Sequence, residues 1–189
     1  MIHEVIVTTL DPGGRAHIAP MGIRHREGRI LVAPFRPSST LDNVLRTRCA
    51  VINYTDDVRI FAGCLTGRTD WPLTRSERVE VPRLADGLAH VEVELAEVED
   101  DPLRPRLFCR PLHEANHLPF RGFNRARAAI LELAILVSRL DLLPAEKIAR
   151  EIDYLQIAVE KTAGPREQEA WAWLMERVEA HRAGESSGP

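Results

Sequence analysis

Three groups of residues carry the side-chain types that chemistry needs. The segment Pro34-Phe35-Arg36-Pro37-Ser38-Ser39-Thr40-Leu41-Asp42-Asn43 sets an arginine and three consecutive hydroxyls at the start of a helical pattern. Arg36 offers a fork of charged donors, Ser38, Ser39 and Thr40 offer hydroxyls, and a helix start adds unpaired backbone N–H groups and the positive end of its dipole. That set can hold a terminal phosphate; taken alone, the same run is an ordinary helix cap. The second group runs from Pro102 to Arg127, where Arg104, Arg106, Arg110, Arg121, Arg125 and Arg127 face one acid, Glu114, with His113, His117, Phe120 and Phe123 interleaved. Three uses fit it: ion pairs with the acidic run Glu92, Glu94, Glu97, Glu99, Asp100 and Asp101, an approach for an anionic substrate or dinucleotide phosphate, or an RNA or polyanion surface. The third is Cys109-x3-His113-x3-His117, whose histidine spacing could share one ion on a helix. Pro111 and Pro119 break that helix and no fourth ligand is evident, so no metal is expected. His17 could donate to a ligand or move a proton near neutral pH, although an ordinary strand histidine looks the same. No glycine-rich dinucleotide or phosphate loop and no Gly-x-Ser-x-Gly occurs, so a Rossmann domain, a P-loop and a serine hydrolase are unsupported. No single His, Asp or Tyr stands out as a catalytic acid or base.

The elements that must position these residues change character along the chain. His3 to Leu10 is β-branched and ends at the turn cluster Asp11-Pro12-Gly13-Gly14, so it reads as a strand. Arg15 to Arg24 and Arg29 to Pro34 flank Glu27-Gly28 as the arms of a hairpin. A short helix starts after Pro37 under the hydroxyl caps. Cys49 to Tyr54 is an apolar strand, and Leu88 to Val98 alternates apolar and acidic residues as a strand with one wet face. Strands joined by hairpins, with one short helix and no βαβ spacing, indicate an antiparallel barrel. From Asn124, a plausible cap, the period becomes helical: one helix to Leu140, a second from Pro144 to before Gly164, a third from Pro165 to near Gly184. Ala128 to Leu136 is apolar nearly all round and should be buried against the barrel, the other helices or a second subunit. Trp171, Trp173 and Met175 are read as core or interface. The expected organisation is α+β: an antiparallel split β-barrel over residues 1–122, a three-helix C-terminal region over 123–184, and a disordered tail, 185–189.

The chain of 189 residues, 44% hydrophobic and 28% charged with a net charge of −3, is that of a globular protein with room for a sizeable core. Its slight negative charge gives no global attraction to nucleic acid or to an anionic membrane. No run approaches the ~20 apolar residues of a membrane span, and the N-terminus lacks a signal-peptide layout, so a cytoplasmic protein with no membrane partner is expected. Cys49, Cys64 and Cys109 suit neither a disulfide framework nor a zinc ribbon and are read as reduced.

Several of these words occur in an order that resembles a known family. Ala-Pro on the second strand, a hydroxyl-rich loop opening a helix with Thr40-x-x-Asn43, and an apolar strand ending Val51-Ile52-Asn53 resemble the FMN-binding split barrels of the flavin-reductase type. The words APMG, PFRPSSTLDN, VINYTDD and GFNRA, followed by a helical region, are similar to an uncharacterised archaeal and bacterial family that joins this barrel to C-terminal helices. The resemblance implies FMN as cofactor, bound at a homodimer interface. It places the backbone of Ala19, Pro20, Met21 and Gly22 along the isoalloxazine edge, Arg36, Ser38, Ser39, Thr40 and Asn43 at the phosphate, and Asn53 near the ring or its ribityl chain. Reductases that release their flavin tend to have Lys-Asp before the Thr, where this chain has Ser38-Ser39. The implied function is an FMN-dependent oxidoreductase taking electrons from a donor such as a nicotinamide and acting on a small, anionic or pterin-like substrate. The alternatives are a non-catalytic FMN carrier or sensor, and an RNA- or polyanion-binding module, with nucleic acid the less favoured. The related haem-handling branch of split barrels stays open as well.

Overall fold

The computed structural model of the protein describes residues 1–186 and divides into two compact units. The first comprises Met1–Asp56 and Asp70–Phe120. Its strands are β1 (His3–Leu10), β2 (Ala16–Arg26), β3 (Arg29–Val32), β4 (Cys49–Tyr54), β5 (Leu73–Thr74), β6 (Arg83–Leu84), β7 (Ala89–Glu99) and β8 (Arg106–Asn116), with helix α1 (Ser39–Thr47) between β3 and β4. Six of these strands close a barrel in the order β1-β2-β3-β8-β7-β4, every pair antiparallel, while β5 and β6 form a separate two-stranded sheet.

Alternation explains how both faces of the central strands are filled. Val5 and Val7 of β1, Ala50 and Ile52 of β4, Val91, Val93 and Leu95 of β7, and Leu107 and Cys109 of β8 join one core with Leu41 and Val44 of α1. The intervening residues Ile6, Thr8, Val51, Asn53, His90 and Glu92 are buried too. Segment 76–84 covers them from outside: the Thr8 hydroxyl donates to the Pro82 carbonyl (2.7 Å), and the Leu84 N–H donates to Asn53 Oδ1 (2.8 Å). The predicted hairpin turn has Glu27 and Gly28 both at positive φ, 50° and 73°, matching strand twist as a primed turn does.

Strand β8 departs from the sequence expectation, which weighed Cys109 to His117 only as a broken helix. Pro111 lies opposite Val93 at a register shift, so the residue without an N–H falls at a bulge.

The second unit takes Arg121 onward and also Asp57–Thr69 from the middle of the chain, which the sequence reading left with the barrel. Its helices are α2 (Val58–Leu65), α3 (Arg125–Val137), α4 (Ala145–Thr162) and α5 (Pro165–Ser186). Among the described residues the C-terminal region thus has the three helices expected of it, α3 to α5, and α2 joins them from the middle of the chain. Ala126, Ala129, Ile130, Leu133, Ala134, Leu136 and Val137 of α3 are buried in a core with Val58 and Ala62 of α2 and Leu174 and Val178 of α5; Trp171, Trp173 and Met175 pack against it. Asn124 caps α3 by accepting from the Arg127 N–H (3.1 Å), and its amide donates to the Thr162 carbonyl (3.0 Å), which gives that Asn of the GFNRA word a structural task. Asp57 caps α2 and receives the Arg59 guanidinium at 2.6 Å, while Arg127 meets the mostly buried Glu167 at 2.8 Å. Glu185 and Ser186, expected in a disordered tail, belong to α5; 187–189 lie outside the described residues. Among the described residues, no helix is long and apolar enough to cross a membrane.

Candidate functional site

Strand β2 is laddered on both sides over only part of its length. β3 pairs with β2 only from Ile23 to Arg26, whereas β1 pairs with β2 along its whole length, from Ala16 to Ile23. Ala16–Gly22 is therefore laddered on the β1 side alone. Beyond Val32 the chain leaves the sheet and returns as α1. A cavity of about 540 Å³ lies where β2 begins, lined by Asp11, Pro12, Arg15, Ala16 and His17 from β2 and its turn, and by Ser39, Asp42, Asn43 and Arg46 from α1. Its size falls in the range of small-molecule and cofactor sites.

The α1 side of this cavity is one helical face. Ser39, Asp42, Asn43 and Arg46 are spaced by three or four residues, so successive turns present hydroxyl, carboxylate, amide and guanidinium together. Ser38 is the N-cap, accepting from the Leu41 N–H at 3.3 Å. Asn43 is buried and donates to the Thr9 hydroxyl at 3.0 Å, tying the helix to β1. Arg46 donates to the Leu10 carbonyl. Among the described residues, Thr40 Oγ1 is buried with no hydrogen-bond partner. Across the cavity, Asp11 accepts from the Arg15 and Gly13 N–H groups and pairs with the Arg15 guanidinium, and the Arg15 backbone bond leads the causes that hold its carboxyl below the ordinary range. Burial lowers the His17 pKa, with Asp11 pulling the other way.

The predicted site residues separate into groups. Ser39 and Asn43 line the cavity; Ala19, Pro20, Met21 and Gly22 continue along β2 from it, all part-exposed and paired with Val7, Ile6, Val5 and Glu4. Thr40 and Ser38 flank Ser39 in the first turn of α1. Arg36 does not line the cavity. It precedes Pro37 across a cis peptide bond and reaches Asp100 at 2.7 Å in an exposed pair. Asn53 departs furthest from expectation, because its side chain is fully buried and bonded within the protein. Its amide donates toward the Ile6 and Val51 carbonyls and the Thr8 hydroxyl, and its oxygen takes the Leu84 N–H. It pins segment 76–84 to the barrel, with its amide donors used inside the protein and no surface exposed to a ligand.

Arg15 and Arg46 were not anticipated. The spacing from Ser39 and Asn43 to Arg46 was the available signal for the second; nothing in the sequence joined the β1–β2 turn to α1. The acidic run pairs with part of the arginine stretch, Arg106 with Glu99 at 2.8 Å and Arg110 with Glu94 at 2.5 Å, while Arg104 donates to the Ala33 carbonyl and stacks on Phe35. Cys109 is buried in the barrel core, where burial pushes its thiol up to about 12.

Two family models match the chain: "Protein of unknown function (DUF447) N-terminal domain" over residues 3–117 and "Protein of unknown function (DUF447)" over 124–176. The chain belongs to the DUF447 family. Among solved structures it is similar to an FMN-bound DUF447 protein from Methanosarcina mazei, at 23% identity and a TM-score of 0.80 over 93% of this chain and 94% of that one. It is also similar to the 2-nitrobenzoate 2-nitroreductase of Pseudomonas fluorescens, at 21% identity and a TM-score of 0.53 over 60% of this chain and 64% of that one. A third likeness is the FMN-binding protein of Thermus thermophilus, at 15% identity and a TM-score of 0.52 over 60% and 69%. These likenesses establish the flavin-reductase-like barrel fold with its C-terminal helical region. No curated protein sequence matches the chain.

Proposed function

We propose that this DUF447 protein binds FMN beside β2 and serves as an FMN-dependent oxidoreductase. The observation that carries the reading is the one-sided ladder of Ala16–Gly22 running into the cavity at α1. A flavin has a flat ring whose edge carries donors and acceptors, and a phosphate at the far end of its side chain. A strand laddered on one side offers N–H and C=O groups to the first, and hydroxyls, a guanidinium and a helix start suit the second. In this reading the backbone of Ala19, Pro20, Met21 and Gly22 flanks the ring. Ser39, Asn43 and Arg46 take the phosphate end, and the unpartnered Thr40 hydroxyl supplies one more donor. Arg36 remains in the set because its exposed pair with Asp100 is worth only about 0–1 kcal/mol and can be exchanged for a phosphate. The FMN of the Methanosarcina mazei relative and of the Thermus thermophilus neighbour supports the assignment.

Bound FMN supplies hydride and electron transfer; the chain binds and orients it and shapes what approaches. The substrate class is a small, anionic or pterin-like molecule, with a nicotinamide as donor. The working unit is a cytoplasmic homodimer with two equivalent sites. The test is titration of the protein with FMN, followed by flavin fluorescence, for wild type and Arg46→Ala. A lost charge-assisted bond of about 1.5–3 kcal/mol weakens binding roughly 10- to 100-fold; an unchanged affinity removes α1 from the site. Faster bleaching of bound than of free FMN by reduced nicotinamide marks an oxidoreductase, and equal rates mark a carrier or sensor.

A further inference from the structure

Outside the barrel, on the face of β7 that segment 76–84 covers, His90 and Glu92 are buried side by side, 2% and 0% exposed. Both Glu92 oxygens are taken. Oε1 accepts from the Glu77 N–H (2.7 Å) and from His90 Nε2 (3.2 Å), and Oε2 accepts from the Arg78 and Val79 N–H groups (2.6 and 2.9 Å). A carboxylate receiving three backbone donors stays ionised, and an ionised carboxylate only accepts. His90 therefore turns Nε2 with a proton toward Glu92, which leaves Nδ1 as the nitrogen that can ligate an ion. That nitrogen lies 2.8 Å from His117 Nε2, with the two rings stacked at 12° and 5.0 Å between centroids. His113 stands directly opposite Glu92 in the β7–β8 register, its ring centroid 5.7 Å from that of His90. One of its ring nitrogens is within 4.8 Å of a nitrogen of His90 and an oxygen of Glu92.

We propose that His90, His113 and His117 form a three-imidazole site for a divalent first-row transition ion of the zinc type, with Glu92 orienting His90 from behind. Imidazole nitrogens select such ions over magnesium or calcium, and a histidine ligand whose other nitrogen is held by a carboxylate is a recurring arrangement in metal sites. Glu92 itself is not a ligand, because its four acceptor positions are filled. Two nitrogens on one tetrahedral ion at about 2.0–2.1 Å sit roughly 3.3 Å apart, so the His90–His117 contact must open by about half an ångström. His117 is exposed and His113 half-buried, so the two movable ligands are on the solvent side and the fourth position is open to water. From the sequence no metal was expected, because Pro111 and Pro119 break a helix through Cys109, His113 and His117 and no fourth ligand was evident; only strand register brings His90 to these histidines.

The test is calorimetric titration of the chelator-treated full-length protein with Zn²⁺, and Co²⁺ titration for the visible bands of a tetrahedral ion. Neither depends on flavin. Wild type is expected to bind one ion per chain. His113→Gln and His117→Gln, both on the solvent side, should each weaken binding at least tenfold while circular dichroism stays unchanged, and Glu92→Gln should weaken it about 10- to 100-fold. Absence of stoichiometric binding by the folded wild type overturns the proposal. So does an affinity that neither histidine variant changes.

Discussion

Replacing Asn53 by alanine separates a structural role from a flavin-binding one. The Asn53 side chain is 0% exposed, its oxygen is the partner of the Leu84 N–H at 2.8 Å, and its amide bonds the Ile6 carbonyl at 3.1 Å. Removal leaves the Leu84 N–H buried without its acceptor, which costs about 1–3 kcal/mol. The emptied side-chain volume adds about 1 kcal/mol, for roughly 2–4 kcal/mol in all. For a chain of this length each kcal/mol moves the midpoint by about 2–4 °C, so thermal unfolding should fall by roughly 5–15 °C. FMN affinity at a temperature where the variant is folded should stay within about twofold, a change of only ~0.4 kcal/mol. An unchanged midpoint with a flavin affinity weakened tenfold or more would refute this reasoning and return Asn53 to the cofactor site.

Other perturbations probe separate parts of the structure. Glu92→Ala strips three backbone N–H groups of segment 77–79 of their acceptor, so trypsin should cut after Arg75 and Arg78 at least several-fold faster; wild-type cleavage rates would mean that the carboxylate does not hold the segment. Burial works to raise the Asp57 carboxyl, but bonds from the Arg59 side chain and N–H and the charge of Arg166 hold it below its ordinary value. The stabilisation is therefore complete above the unfolded carboxylate range near pH ~4 and lost as pH falls through the depressed folded value. Asp57→Asn, which still caps α2, should flatten the acid limb of the stability curve; an identical acid limb in both proteins would contradict this. A Cβ on Gly22 would meet Ile2 Cγ2 at 2.9 Å, the branch methyl of a half-exposed residue next to the N-terminus, which can give way, and its φ is not positive. Gly22→Ala should shift the unfolding midpoint by no more than about 2 °C, about 0.5–1 kcal/mol, while weakening FMN through the lost close approach. A variant that binds FMN as wild type does would take Gly22 out of the ring contact.

Where the sequence was legible, a local rule coincided with a tertiary need. β1, the β2–β3 hairpin, β4 and β7 follow from alternation and turn residues, and α3 to α5 from periodicity with Asn124 as cap and Pro165 at a helix start. Helix α2 was missed because its eight residues, VRIFAGCL, follow an apolar strand and find their apolar partners in helices more than sixty positions later. β8 was missed because Pro111 argues against a strand unless a bulge receives it. At the candidate site, residues within one segment, such as Ser39 and Asn43, could be grouped from spacing. The joining of Arg15 and His17 to α1, of Asn53 to Leu84, and of His90 to His117 depends on register and loop docking, which no local pattern encodes.

The most direct measurement is the absorption spectrum of the purified, untreated protein, with release and chemical identification of any chromophore and back-titration with FMN. The account predicts flavin absorption that is released as FMN, or saturable stoichiometric uptake of added FMN that Arg46→Ala weakens. A colourless protein that takes up no FMN would contradict it.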